Sequence, residues 1–320
     1  MTNVNFLGED NFIDIMKTQN KAWREKYVTQ GKFKSFDGTQ LNYYYAIPDS
    51  AKRAIVLVHG FCEFWGKFHE YAWYLYQAGY GVFFMEQRGH GYSEGKLKNH
   101  DIVHINNYDT YVEDLHVFLD KIVMQQSSHM THTLLAHSMG GAVGTLFLEK
   151  NTDYFDSAIL SSPMLKMKNN TSPIVIKALS LYSFLFKQSK ALAPGQRRFD
   201  AKPVFETSSA MSKPRYDYMF DMRLKDEHYQ TYGASIGWAL ASLKTNKQIM
   251  KNAHKIRIPV TVFTAGQDHL IDPEGYSQFE KRVPGSKFIN FEQSRHEIFN
   301  ADENSRKRYF SAVLKILNDL

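Results

Sequence analysis

The chain has 320 residues, 43% of them hydrophobic and 22% charged, which is enough apolar side chain for a sizeable core and too much for a disordered polymer. Its single cysteine, Cys62, excludes an intramolecular disulfide and any paired-cysteine zinc spacing. The formal net charge is +6, but no lysine-arginine stripe accompanies a base-reading motif, so nucleic acid is set aside and an anionic lipid surface is the partner such an excess fits.

The N-terminal stretch carries acids where a signal peptide would carry an apolar run, and no segment reaches the roughly 18 apolar residues of a membrane span. A cytoplasmic chain is expected, with peripheral contact at the inner face of a membrane. The first patterned segment, KFKSFDGTQLNYYYAI, holds two strand-like runs around Asp37-Gly38, a hairpin signal. AIVLV (54–58), GVFFMEQ (81–87), TLLA (133–136) and SAILSSP (157–163) follow as short buried strands, with VTVFTA (260–265) and KFINFE (287–292) later. Between them lie helical patterns. FHEYAWYLYQAG ends on a capping glycine, YDTYVEDLHVFLDKIV repeats apolar residues every three to four positions, and the last segment places Tyr309, Phe310, Val313, Leu314 and Leu317 on one face.

This alternation predicts an α/β fold, a mostly parallel sheet covered on both sides by helices. It lapses between about 165 and 255, where SPIVIKALSLYSFLF opens with a Ser172 cap and a first-turn Pro173. The expected organisation is core over 1–164, a helical lid insertion over 165–255, and core again over 256–320.

Chemistry concentrates where strands end. In LLAHSMGGAVG, Ser138 follows a strand and precedes a helix-compatible run, the setting of a nucleophile elbow, whose sharp turn demands small residues two before and two after. Those are Ala136 and Gly140. A serine hydroxyl needs a base oriented by an acid, and in strand-turn-helix hydrolases the chain order is serine, acid, histidine. Asp268 follows the strand at 260–265 and His296 the strand at 287–292, which gives that order. Asp272 is the alternative acid, four residues farther on. His269, His137 and His90 are weaker bases, by order, by divergence from the elbow and by a glycine-rich loop respectively. Donors for an oxyanion are expected at Met139 N–H and at Phe61 N–H, after the strand-ending His59-Gly60.

HGFCE (59–63), EQRGHGYSEG (86–95), AHSMGG (136–141), AGQDHLID (265–272) and RHEIFN (295–300) together resemble the α/β-hydrolase superfamily, in particular its lysophospholipase L2 and monoacylglycerol lipase group. SKPRY (212–216) and GASIGWALAS (233–242) match the same group loosely. The resemblance spans about 30–318 and implies a serine hydrolase with a helical lid before the acid-bearing strand. It carries over Ser138, Asp268 and His296 as triad, Phe61 and Met139 as amide donors, and Glu63 as a brace for the oxyanion loop that His59 and Gly60 begin. The chain departs from the group at Ala136, where glycine is usual, and at Glu86, where aspartate is frequent.

The chemistry so read needs no metal or organic cofactor. Its expected substrate is a carboxylic ester of a monoacyl lipid, a lysophospholipid first and a monoacylglycerol second. The alternatives are a carboxylesterase for small soluble esters and an acyltransferase with the same triad. Ile174, Leu181, Phe184, Met211, Met219 and Trp238 of the insertion are expected to line an acyl pocket, with Lys187, Lys190, Arg197 and Arg198 near lipid phosphates. Oligomeric state is left open.

Overall fold

The computed structural model describes residues 4–320. Ten strands form among the described residues: β1 (Thr29–Lys34), β2 (Gln40–Ala46), β3 (Arg53–Val58), β4 (Gly81–Met85), β5 (Ile102–Val103), β6 (Thr131–His137), β7 (Ser157–Ser161), β8 (Gly233–Ala234), β9 (Val260–Ala265) and β10 (Lys287–Phe291). Eight of them make one sheet in the order β1-β2-β4-β3-β6-β7-β9-β10, and β5 pairs β8 apart from it. β1 and β2 run antiparallel, as do β2 and β4, and every other neighbouring pair in the large sheet is parallel. The β1–β2 turn uses Gly38 at φ +87°, with Ser35 N–H donating to the Thr39 carbonyl at 2.8 Å.

The inner parallel strands are buried along nearly their whole length and mostly apolar because both faces are covered, whereas the edge strand β10 is largely exposed. In β3, Ala54, Val56 and Val58 enter one core and Ile55 and Leu57 the other, the period-two alternation of a strand. The first core lies under the helices Asp109–Phe118, Met139–Leu148, Ile236–Asn252 and Pro273–Arg282. The second lies under His69–Gln77 and Glu303–Asn318, together with Phe12, Met16 and Trp23 of the N-terminal segment. The C-terminal helix buries Tyr309, Phe310, Val313 and Leu317, and Asp302 caps it by accepting from the Asn304 and Ser305 amides at 3.1 Å.

Between β7 and β9 run the helices Pro173–Leu185, Lys213–Lys225 and Ile236–Asn252. The first is capped by Ser172, whose hydroxyl accepts from Val175 N–H, and buries only Ser183. The last belongs physically to the core, since its Trp238, Ala241 and Ile249 join the larger apolar cluster. Among the described residues no helix is long and apolar enough to cross a membrane.

Candidate active site

Every candidate catalytic residue stands just beyond the carboxyl end of a parallel strand. Ser138 follows β6 and begins the helix Met139–Leu148, with φ +52° and ψ −119°. A non-glycine residue at positive φ is strained and persists only where its surroundings hold it. Here Ser138 N–H donates to the Ser161 carbonyl at 3.0 Å, and the Ser138 carbonyl accepts from Met164 N–H at 2.8 Å. The strand and helix meet so closely that a methyl on Gly140 would lie 2.2 Å from the Val58 carbonyl oxygen and 2.5 Å from that of His59. Ala136 is fully buried, and its methyl faces the bare Gly144, where an added Cβ would stand 3.5 Å away. The departure at 136 therefore meets no obstruction from the helix.

His296 Nε2 lies 2.8 Å from Ser138 Oγ, and His296 Nδ1 lies 2.7 Å from Asp268 Oδ2. The other carboxylate oxygen, Oδ1, accepts from the Leu270 and Ile271 amides at 2.8 and 3.1 Å. Burial is the largest single influence on Asp268 and pushes its pKa up. The His296 hydrogen bond and charge, with the two amides, outweigh it and hold the carboxyl below its ordinary 3.8. Asp272 is engaged elsewhere: it caps the helix Pro273–Arg282 through Glu274 N–H at 3.0 Å and pairs with Lys166 at 2.7 Å.

The loop after β3 is braced from three sides. Gln87 N–H donates to His59 Nε2 at 2.8 Å, so the proton of this ring sits on Nδ1 and is donated to the Gly60 carbonyl at 2.7 Å. Burial lowers the His59 pKa well below its ordinary value, which keeps that tautomer neutral. Glu63 accepts from Gly60 N–H and pairs with Lys67 at 2.7 Å, and Lys67 reaches Glu297, the residue after the candidate base, at 2.6 Å. From the helix Lys213–Lys225, Arg223 donates to the Cys62 carbonyl at 2.5 Å, and Cys62 itself sits at φ +58°. Burial pushes the Cys62 thiol up to about 12, so it is no thiolate nucleophile. Phe61 N–H and Met139 N–H have no protein acceptor among the described residues.

Lys67, Glu297 and Arg223 are neighbours of the candidate site that sequence reasoning did not select. Glu63 and Lys67 lie only four residues apart, although Glu63 precedes the short turn Trp65–Phe68 that carries Lys67. The partnership with Glu297 spans 230 positions, and the one between Arg223 and Cys62 spans 161.

The six residues expected in an acyl pocket do not gather in one place. An open cleft of about 1470 Å³ lies between the helices Pro173–Leu185 and Ile236–Asn252, and of the six only Phe184 lines it. Ile174 and Leu181 are 79% and 58% exposed, on a helix that leaves most of its side chains in solvent. Trp238 is buried against Phe61 with ring centroids 4.2 Å apart. Met211 accepts through sulfur from Arg295 N–H at 3.4 Å, and Met219 lines a small cavity with Phe12 and Met16. Of the expected phosphate-binding cations, Lys187 lines the cleft, whereas Arg198 pairs with Asp101 at 2.5 Å.

A mostly parallel sheet with a serine, a histidine and an aspartate linked at its strand ends defines the α/β-hydrolase class. Within that class the chain belongs to the family described as serine aminopeptidase, S33, which it matches over residues 49–303. It is 24% identical to lysophospholipase L2 of Escherichia coli (strain K12) over 306 residues, 92% of this chain and 88% of that protein. It is 25% identical to a monoacylglycerol lipase of Mycolicibacterium smegmatis over 281 residues, 86% of this chain and 92% of that protein. A soluble variant of monoglyceride lipase from Saccharomyces cerevisiae, crystallised with a substrate analogue, shares the fold at a TM-score of 0.70 and 18% identity, covering 91% of this chain and 96% of that one.

Proposed function

We propose that the protein hydrolyses carboxylic esters of monoacyl lipids, a lysophospholipid first and a monoacylglycerol second, through an acyl-enzyme on Ser138. The observation that carries this reading is the relay of two hydrogen bonds, Ser138 Oγ to His296 Nε2 at 2.8 Å and His296 Nδ1 to Asp268 Oδ2 at 2.7 Å. His296 Nε2 takes the hydroxyl proton as Ser138 Oγ attacks the ester carbonyl, and Asp268 holds the ring in the tautomer that leaves Nε2 free to accept. Phe61 N–H and Met139 N–H receive the developing oxyanion, each worth about 3 kcal/mol of barrier. The alcohol leaves with the proton from His296. A water, deprotonated by the same nitrogen, then releases the carboxylic acid.

The helices Pro173–Leu185 and Lys213–Lys225 act as the lid in this reading. The exposed apolar side chains of the first, with the net charge of +6, support peripheral contact with an anionic lipid surface. Peptide cleavage, named in the family's description, is the second reading. It calls for a carboxylate to hold a free α-amino group, and the one carboxylate lining the cleft, Asp272, is paired with Lys166.

A fluorophosphonate probe and micellar lysophosphatidylcholine test the reading together. The parent protein is expected to be labelled and to release fatty acid, and Ser138→Ala to do neither. Absence of labelling in the folded parent would overturn the serine mechanism. Turnover confined to a short nitrophenyl ester would overturn the lipid substrate.

A further inference from the structure

The cleft between the helices Pro173–Leu185 and Ile236–Asn252 combines two kinds of wall. Leu165, Met167, Ile176, Leu240, Leu243 and Met250 give it an apolar floor. Five lysines also line it, against one carboxylate. Lys166 is already committed, to Asp272 at 2.7 Å and to Glu274. The other four, Lys177 and Lys187 from one wall and Lys244 and Lys247 from the other, have no ion-pair or hydrogen-bond partner among the described residues. Four ammonium groups facing one concavity repel one another and raise the local concentration of anions, and a low-dielectric floor beneath them strengthens that field. The floor by itself calls for a hydrocarbon chain.

We propose that this cleft binds an anionic monoacyl amphiphile, its alkyl chain on the floor and its phosphate or carboxylate among Lys177, Lys187, Lys244 and Lys247. The inference rests on the reading of the protein as a monoacyl lipid hydrolase and narrows it, because a neutral monoacylglycerol leaves the four charges unanswered. None of Ser138, Asp268 and His296 lines the cleft, which connects to the site through the segment after β7. Its residue Leu165 follows Met164, whose amide holds the Ser138 carbonyl. The shared chemistry is an anion on a single chain, which either a lysophospholipid head group or a released fatty acid supplies.

Calorimetric titration of Ser138→Ala protein, below micelle-forming concentrations, separates these cases. The probes are four amphiphiles with twelve-carbon chains: dodecyl phosphate, laurate, monolaurin and dodecyltrimethylammonium. An anion is expected to bind at least tenfold tighter than monolaurin, with the cationic probe weakest and the preference shrinking as salt rises. A dodecyl phosphate preference identifies the head group and a laurate preference the released acid. The exposed pair Lys244→Glu/Lys247→Glu is expected to abolish the anion preference while leaving monolaurin binding and thermal stability unchanged. Equal binding of anions and monolaurin overturns the inference, as does an anion preference that survives the double reversal. Hydrolysis of lysophosphatidylcholine and of monolaurin by the parent protein is scored separately. If either occurs without any anion preference, only the present inference falls; if neither occurs, the lipid hydrolase reading falls.

Discussion

The two ends of the functional apparatus are built in opposite ways. Around Ser138 the backbone is strained, buried and held by neighbours on every side: Gly140 touches two carbonyls, His59 uses both ring nitrogens, and Lys67 ties two loops together. The helix Pro173–Leu185 is the reverse, with Ile174 and Phe184 about four-fifths exposed and one buried residue in the whole element. Groups that must meet a reacting atom need positions fixed to fractions of an ångström, whereas a surface that receives hydrocarbon must stay unoccupied until the hydrocarbon arrives.

The sharpest way to break this contrast is Gly140→Ala. The added methyl meets backbone oxygens, which cannot rotate away, so the elbow must shift or the chain must lose about 5 kcal/mol of stability. Urea unfolding and fluorophosphonate labelling should fall together, whereas Gly144→Ala, which meets the mobile end of Leu134, should leave labelling within about threefold. Next comes Lys67→Met, which strands the Glu63 and Glu297 carboxylates without their shared cation. A loss of about 3–5 kcal/mol is expected, largely restored in Lys67→Arg.

Glu86 gives a smaller, pH-dependent effect. Burial pushes its carboxyl up to about 7, although Trp65 N–H, Tyr92 N–H and Asn42 Nδ2 all donate to it. The folded chain thus keeps a proton that the unfolded chain releases near 4.5. Stabilisation from this group is complete below that value and is lost as pH rises through about 7, by at most about 3 kcal/mol at 1.36 per unit. Melting temperature plotted against pH should be flatter for Glu86→Gln over that window. The smallest stability effect belongs to the other region. Ile174→Ser/Leu181→Ser should change unfolding by no more than about 0.5 kcal/mol, since both are exposed, yet lower turnover of micellar lipid severalfold while sparing a short soluble ester.

The same contrast governs what could be read from the chain alone. The strand expected at 260–265 has the bounds Val260–Ala265, and the other parallel strands shift by no more than two residues at either end, because buried strands carry short runs of apolar and β-branched residues between turn signals. Ser138, Asp268 and His296 were legible as loop residues placed after those runs. Asp272 could be told apart by Pro273 behind it, the signature of a cap and first turn. The apolar residues of the insertion follow helical spacing, but spacing does not say whether an apolar face meets protein or solvent. Ile174 and Trp238 therefore looked alike, and one is exposed while the other is buried against Phe61. The Lys67 and Arg223 contacts depend on loops brought together only by the finished sheet.

Arg223 carries a consequence of its own. Arg223 is 7% exposed, and its guanidinium grips the carbonyl of the residue beside Phe61 from the helix Lys213–Lys225, between β7 and β9. Thermodynamic reciprocity makes such a grip act in both directions. If the helix Lys213–Lys225 steadies the loop that carries Phe61, then a ligand locked against that loop must steady the helix in return. A covalent phosphonyl adduct on Ser138 should therefore slow amide exchange along residues 213–225, a signal read in the insertion of an event at the far end of the side chains that join them.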